Sequence, residues 1–144
     1  MPYPPQGSGG GSLRYAISAS DKIIVAMDAE RTYTNTSYAL LKQAKLNMFG
    51  TIRTYFELAV YGQDIAYGTV YRNGIPVGTE RSTTSTVYVA FVEDITGWME
   101  GDLCQLYTRH WGGYAETYGM ARNFRVMGEV NVIISPPIAR ADID

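Results

Sequence analysis

The chain has 144 residues, one domain by length and enough to bury a sizeable core without disulfides or metal. With 46% hydrophobic and 18% charged residues it is not a disordered polymer, and no apolar run approaches the roughly 20 residues of a membrane-spanning helix. Its net charge is −2 and it contains no basic run, so the electrostatic footprint of nucleic-acid binding is missing and neither nucleic acid nor membrane is expected as a partner.

Twelve Tyr, fifteen Gly and many Thr, Val and Ile favour pleated, half-buried surface over helix. In chain order, residues 1–12 hold Tyr3, Pro4 and Pro5 and then a Gly-Ser run, a composition for a flexible arm. The same run is also what an engineered linker looks like. With neither a basic leader nor an apolar segment at its start, the chain is expected to be synthesised in a cytoplasm without a signal peptide.

From residue 13 to 130, short strands are expected at regular spacing with turn signals between them. Ile17 to Met27 gives one or two strands, and Tyr38 to Met48 the next. In Thr51 to Val60 the even positions Ile52, Phe56, Leu58 and Val60 are apolar while Arg53 and Glu57 face the other way, a period of two. Ile65 to Arg72 runs into Asn73-Gly74, the residues of a type I′ hairpin turn, and Pro76 confines the returning strand to an edge. Val87 to Val92 follows. Asp94 and Trp98 are then expected in a connection leading to the turn Glu100-Gly101-Asp102 and to a strand at Leu103 to Thr108. Tyr118 to Met127 closes the domain, with Tyr118, Met120, Phe124 and Val126 expected on one face. Residues 131–144, with Ile133, Ile134 and Ile138 beside prolines, are expected as a C-terminal arm.

Glu30-Arg31-Thr32 with Thr34, Thr36 and Tyr38 recurs fifty residues on as Glu80-Arg81-Ser82 with Thr84, Thr86 and Tyr88; Arg72-Asn73 and Gly78 recur as Arg122-Asn123 and Gly128. Two such halves of about four strands each suit an all-β antiparallel sandwich, a jelly roll of two Greek keys, with both chain ends as extended arms. The repeated hydroxyl-rich runs fit a repeated architectural role better than a glycan-binding loop.

No chemistry-bearing constellation emerges. Cys104 alternates with Leu103, Gln105 and Leu106 as a small core side chain, and lone His110 has neither a nucleophile nor zinc-ligand spacing around it. Glu93, Asp94, Glu100 and Asp102 read as turn chemistry. With no phosphate-cradling loop and no nucleophile elbow, the chain is expected to be non-enzymatic and to need no cofactor. Arg109, His110, Trp111 and Tyr114, among glycines, form a loop suited to contact with a subunit or a ligand.

Phe49-Gly50-Thr51-Ile52-Arg53, Tyr71-Arg72-Asn73-Gly74, Trp98-Met99-Glu100-Gly101-Asp102-Leu103 and Arg122-Asn123-Phe124-Arg125-Val126 follow one another in an order that resembles the trimeric jelly rolls of the tumour-necrosis-factor and complement globular-head type. The likeness spans residues 50–128; the stalk of the secreted members is missing. The same order is similar to jelly rolls of tailed phages that serve as head-decoration or fibre modules. That resemblance implies a homotrimer on a virion surface, a capsid-decoration protein binding the major capsid protein. A receptor-binding or lectin-like module of a tail fibre is the alternative. In the first case Tyr3, Pro4, Pro5, Ile133, Ile134 and Ile138 are the expected anchors, on tethers that lose entropy only on docking.

Overall fold

Period-two alternation dominates the sequence, and the computed structural model, which describes residues 12–135, contains strands and connections only. The strands are β1 (Ser12–Met27), β2 (Arg31–Tyr33), β3 (Ala39–Lys45), β4 (Phe49–Tyr61), β5 (Ala66–Arg72), β6 (Ile75–Pro76), β7 (Arg81–Thr83), β8 (Val89–Trp98), β9 (Leu103–His110) and β10 (Tyr118–Ser135). Hydrogen bonding joins β2, β10, β4 and β8 in one sheet and β3, β9, β5 and β7 in the other, all antiparallel. This is the strand order of a jelly roll, and the expected all-β sandwich is what forms. β1 lies along β10, and β6 shares the free edge of β5 with β7, which leaves Pro76 at an edge as expected.

The fifty-residue repeat is architectural. β2, β3, β4 and β5 correspond to β7, β8, β9 and β10, and Asn73 and Asn123 both take positive φ, 53° and 56°. Each repeat also clamps the other: Tyr88 donates to Glu30 at 2.5 Å and Tyr38 donates to Glu80 at 2.6 Å. An arginine lies over each tyrosine ring, Arg122 at 4.0 Å from the Tyr88 centroid and Arg109 at 5.2 Å from that of Tyr38. Burial, and then the facing carboxylate, push both phenols well above the ordinary tyrosine value, so they remain hydrogen-bond donors.

Between the sheets lie Ile52, Phe56, Leu58 and Val60 of β4, with Val70, Ile95, Trp98, Leu106, Phe124 and Val126. Two expectations are corrected here. Asp94 and Trp98 belong to β8 and not to a connection, because Arg53, Thr54 and Tyr55 extend the pairing to Asp94, Glu93 and Val92, and Trp98 meets Gly50. In β10, Tyr118 and Met120 do not share a face with Phe124 and Val126. The ladder slips between Arg122 and Arg125, where Asn123 stands at positive φ as an extra residue, and this bulge moves the inward positions from Gly119 and Ala121 to Phe124 and Val126.

The boundary drawn at residue 130 also moves. Ser12–Ser18 pairs residue for residue with Glu129–Ser135, so residues 131–135 are strand, held by a partner more than a hundred residues away. Ile17 fixes this pairing to the domain. A side chain at Gly50 (φ 131°) would stand 2.3 Å from the Ile17 carbonyl oxygen, and one at Gly128 would stand 2.5 Å from Ile17 Cγ1. Ile17 therefore enters the core only because glycine occupies both places.

Phe56→Ala and Leu58→Ala should each lower the unfolding free energy by about 2–5 kcal/mol, read from urea denaturation. An unchanged midpoint in either would show that the inward face of β4 is misassigned.

Candidate functional site

One end of the sandwich gathers four connections, residues 34–38, 62–65, 84–88 and 111–117, and their backbones are cross-linked. The His110 N–H donates to Asn35 O, the Trp111 N–H to Ile65 O and the Val60 N–H to Ser85 O. Beneath them is a buried His–Asp hydrogen bond. His110 Nδ1 is 2.6 Å from Asp64 Oδ2 and Nε2 is 2.9 Å from the Thr34 carbonyl oxygen, while Asp64 Oδ1 accepts the N–H groups of Ile65 and Gly112. Burial alone would push the Asp64 carboxyl up. The hydrogen bonds from His110, Gly112 and Ile65 outweigh it and hold Asp64 below the usual carboxylate range. The ring is thus held between a carboxylate on one side and a carbonyl oxygen on the other.

The four residues expected to form one contact loop are therefore divided. His110 is an internal pin. Arg109 lies on the outer face of the β3–β9–β5–β7 sheet, 3.7 Å from the centroid of Tyr67 and paired with Glu80 at 3.6 Å. Trp111 and Tyr114 do face solvent, 48% and 53% exposed, with ring centroids 5.5 Å apart at 70°. Sequence reasoning missed two neighbours: Tyr61, 56% exposed, stacks on Tyr118 at 4.9 Å. The two aromatic pairs are joined through Thr117, whose hydroxyl donates to the Tyr114 carbonyl and whose methyl fills the space beside Gly62.

The opposite end carries the β1–β10 ribbon. Opposed residues share a face, so Leu13 with Ile134 and Tyr15 with Val132 continue outward the row that Ile17 and Val130 begin at the core. Leu13 is 60% and Ile134 65% exposed. Ile133, also exposed, is on the other face, opposite Arg14. Arg14 forms two hydrogen bonds with Glu100, at 2.8 and 2.9 Å, and lies 4.1 Å over the Phe49 ring, tying the ribbon to the β8–β9 turn. Thus Ile133 and Ile134 stand on a strand rather than a tether, and Tyr3, Pro4, Pro5 and Ile138 lie outside the described residues.

The acidic residues that looked clustered are dispersed. Asp102 alone performs the expected turn chemistry, accepting the Met99 N–H at 2.8 Å. Glu93 binds Thr79, Asp94 binds Arg53, and the Arg14 guanidinium holds the Glu100 carboxyl down at about 2. Burial pushes the Cys104 thiol up to about 12, which fits an inert core side chain. Among the described residues, no three His, Cys, Asp or Glu side chains meet in a group that could hold a metal ion. No family model matches the chain, and no curated protein matches it.

Because the Asp64 carboxyl is depressed in the folded protein, its contribution is present above the ordinary value of about 3.9 and is lost as pH falls through the lower folded value. Asp64→Asn, which replaces an acceptor of this hydrogen-bond network with a donor, should cost about 1–3 kcal/mol at neutral pH. The difference from the parent should shrink as melting is followed from about pH 4 to pH 2; a difference independent of pH would show that the carboxylate charge is not what the pin uses.

Proposed function

We propose that the protein is a non-enzymatic virion structural protein, a homotrimeric decoration protein that attaches to the major capsid lattice through its ribbon end. The observation that carries this reading is the β1–β10 ribbon. A two-stranded ribbon is marginal in water by itself, yet this one runs past the sandwich with Leu13, Tyr15, Val132 and Ile134 in the open. Burial of such a row on another surface would stabilise ribbon and complex together. The described residues begin and end at the ribbon's tip, where Ser12 pairs with Ser135, and Tyr3, Pro4, Pro5 and Ile138 lie within ten residues of that pair along the sequence. Three copies in one trimer would multiply weak individual contacts into firm attachment. The trimer itself draws support from the jelly-roll strand order and from the motif order of residues 50–128.

Sedimentation equilibrium at micromolar concentration should give a trimer. Deleting residues 1–10 and, separately, combining Leu13→Ser with Ile134→Ser should each leave melting nearly unchanged while weakening retention on purified heads by at least about tenfold, about 1.4 kcal/mol. A monomer would remove the trimer from the proposal, and equal retention of all three proteins would remove attachment through the ribbon end.

A further inference from the structure

The loop end, remote from the ribbon, has a composition of its own. With Tyr61 and Tyr118 added by the strand ends beside them, its four connections carry Trp111 and Tyr114 with Thr34, Thr36, Gln63, Thr84, Thr86 and Thr117. They contain no Lys or Arg. Of their two carboxylates, Asp64 is buried against His110 and only Glu116 remains.

The indole of Trp111 is held in a defined pose. A Cβ placed on Gly113 would lie 2.1, 2.2 and 2.3 Å from Cη2, Cζ3 and Cζ2 of the ring, so the benzo ring lies face-on over the glycine. One face is thus backed by main chain while about half of the residue remains open to water. Tyr114 stands at 70° to that ring, making a corner of one aromatic plane and one aromatic wall. Gly112, at φ 72°, packs against the Thr36 methyl, and its N–H is held by Asp64. The corner is therefore pre-set by the same pin that cross-links the loops.

We infer that this corner is a binding site for a neutral oligosaccharide, with Trp111 as the stacking platform. The face of an aromatic ring carries the negative lobe of its quadrupole. The axial C–H bonds on one face of a pyranose, polarised by the ring and hydroxyl oxygens, lie favourably on such a surface. The sugar's hydroxyls would meet Thr36, which packs beside Gly112, and Thr117, which lies beside Tyr114, side chains whose hydroxyls both donate and accept. An anionic ligand is disfavoured because the four connections contribute no Lys or Arg, and Arg109 and Arg122, which reach the loop tyrosines, are already paired with Glu80 and Glu57. A protein partner is disfavoured because the arginines that reach these loops, Arg109 and Arg122, lie over Tyr38 and Tyr88 and are paired with Glu80 and Glu57, so neither is free to accompany Trp111 as hot-spot arginines do. The inference stands apart from attachment through the ribbon, since the two features occupy opposite ends of the sandwich.

The test uses the full chain on immobilised cellotetraose, maltotetraose and mannotetraose beside sialylated and sulfated oligosaccharides. At least one neutral sugar should be retained, and its addition should shift tryptophan emission to shorter wavelength. Trp98 is buried, so this signal reports Trp111. Trp111→Ala should weaken binding by at least about tenfold, Trp111→Phe should restore part of it, and Gly113→Val, which lifts the ring from its support, should weaken it to a similar degree. The ribbon variant Leu13→Ser with Ile134→Ser should bind sugar as the parent does, which separates this site from attachment. Failure of every neutral sugar at millimolar concentration, binding confined to the anionic sugars, or binding indifferent to both Trp111→Ala and Gly113→Val would each overturn the inference, as would capture of a protein ligand through Trp111 without any sugar binding.

Discussion

Each sheet of the sandwich draws strands from both halves of the chain: β2 and β4 hydrogen-bond with β8 and β10 in one, β3 and β5 with β7 and β9 in the other. Neither fifty-residue half can cover its own apolar faces, although each carries the full set of four strands. The reciprocal Tyr88–Glu30 and Tyr38–Glu80 bonds follow from this interleaving, because equivalent residues of the two halves end up beside each other's partners. Nearly all the pairing is between distant residues, so loop closure precedes the contacts that reward it, a topology associated with slow folding.

The ends of the sandwich solve opposite problems. At the loop end, backbone that departs from the ladders is immobilised: a buried His–Asp pair, one loop-to-loop and two strand-to-loop hydrogen bonds, and glycines at 112 and 113 hold exposed rings in place. At the ribbon end, regular ladder continues where no second sheet faces it, and the exposed row is an extension of core. Rigidity without cover on one side and cover-seeking surface on the other give the domain a polarity that its small net charge does not reveal.

The alternation in β4, the Asn73-Gly74 hairpin and the fifty-residue repeat were legible because each is written in neighbouring residues or in plain repetition. β2 and β7, three residues each, are too short to show any period. The bulge at Asn123 defeats parity counting, since one inserted residue turns every later side chain to the other face. Residues 131–135 carry no local strand signal because their partner, Ser12–Ser18, lies more than a hundred residues away; two weak strands so far apart announce their pairing only in three dimensions. At the loop end, Trp111 and Tyr114 were visible as an aromatic, glycine-flanked segment. Asp64, forty-six residues from His110, and the Tyr61–Tyr118 stack were not, because nothing local signals a long-range partner.

Ser12 and Ser135 are ladder partners, so the described chain begins and ends within one strand spacing, a few ångströms. Joining them with a short turn would convert β1 and β10 into an ordinary hairpin and make the backbone effectively circular. New ends could then be opened at Gly74, where an added side chain would meet nothing within 4 Å, with every strand keeping its neighbours. For this fold the order in which the strands are synthesised is a matter of history; what specifies the structure is the cyclic succession of strands, and a circular permutant would carry its termini to the β5–β6 hairpin and leave the ribbon closed.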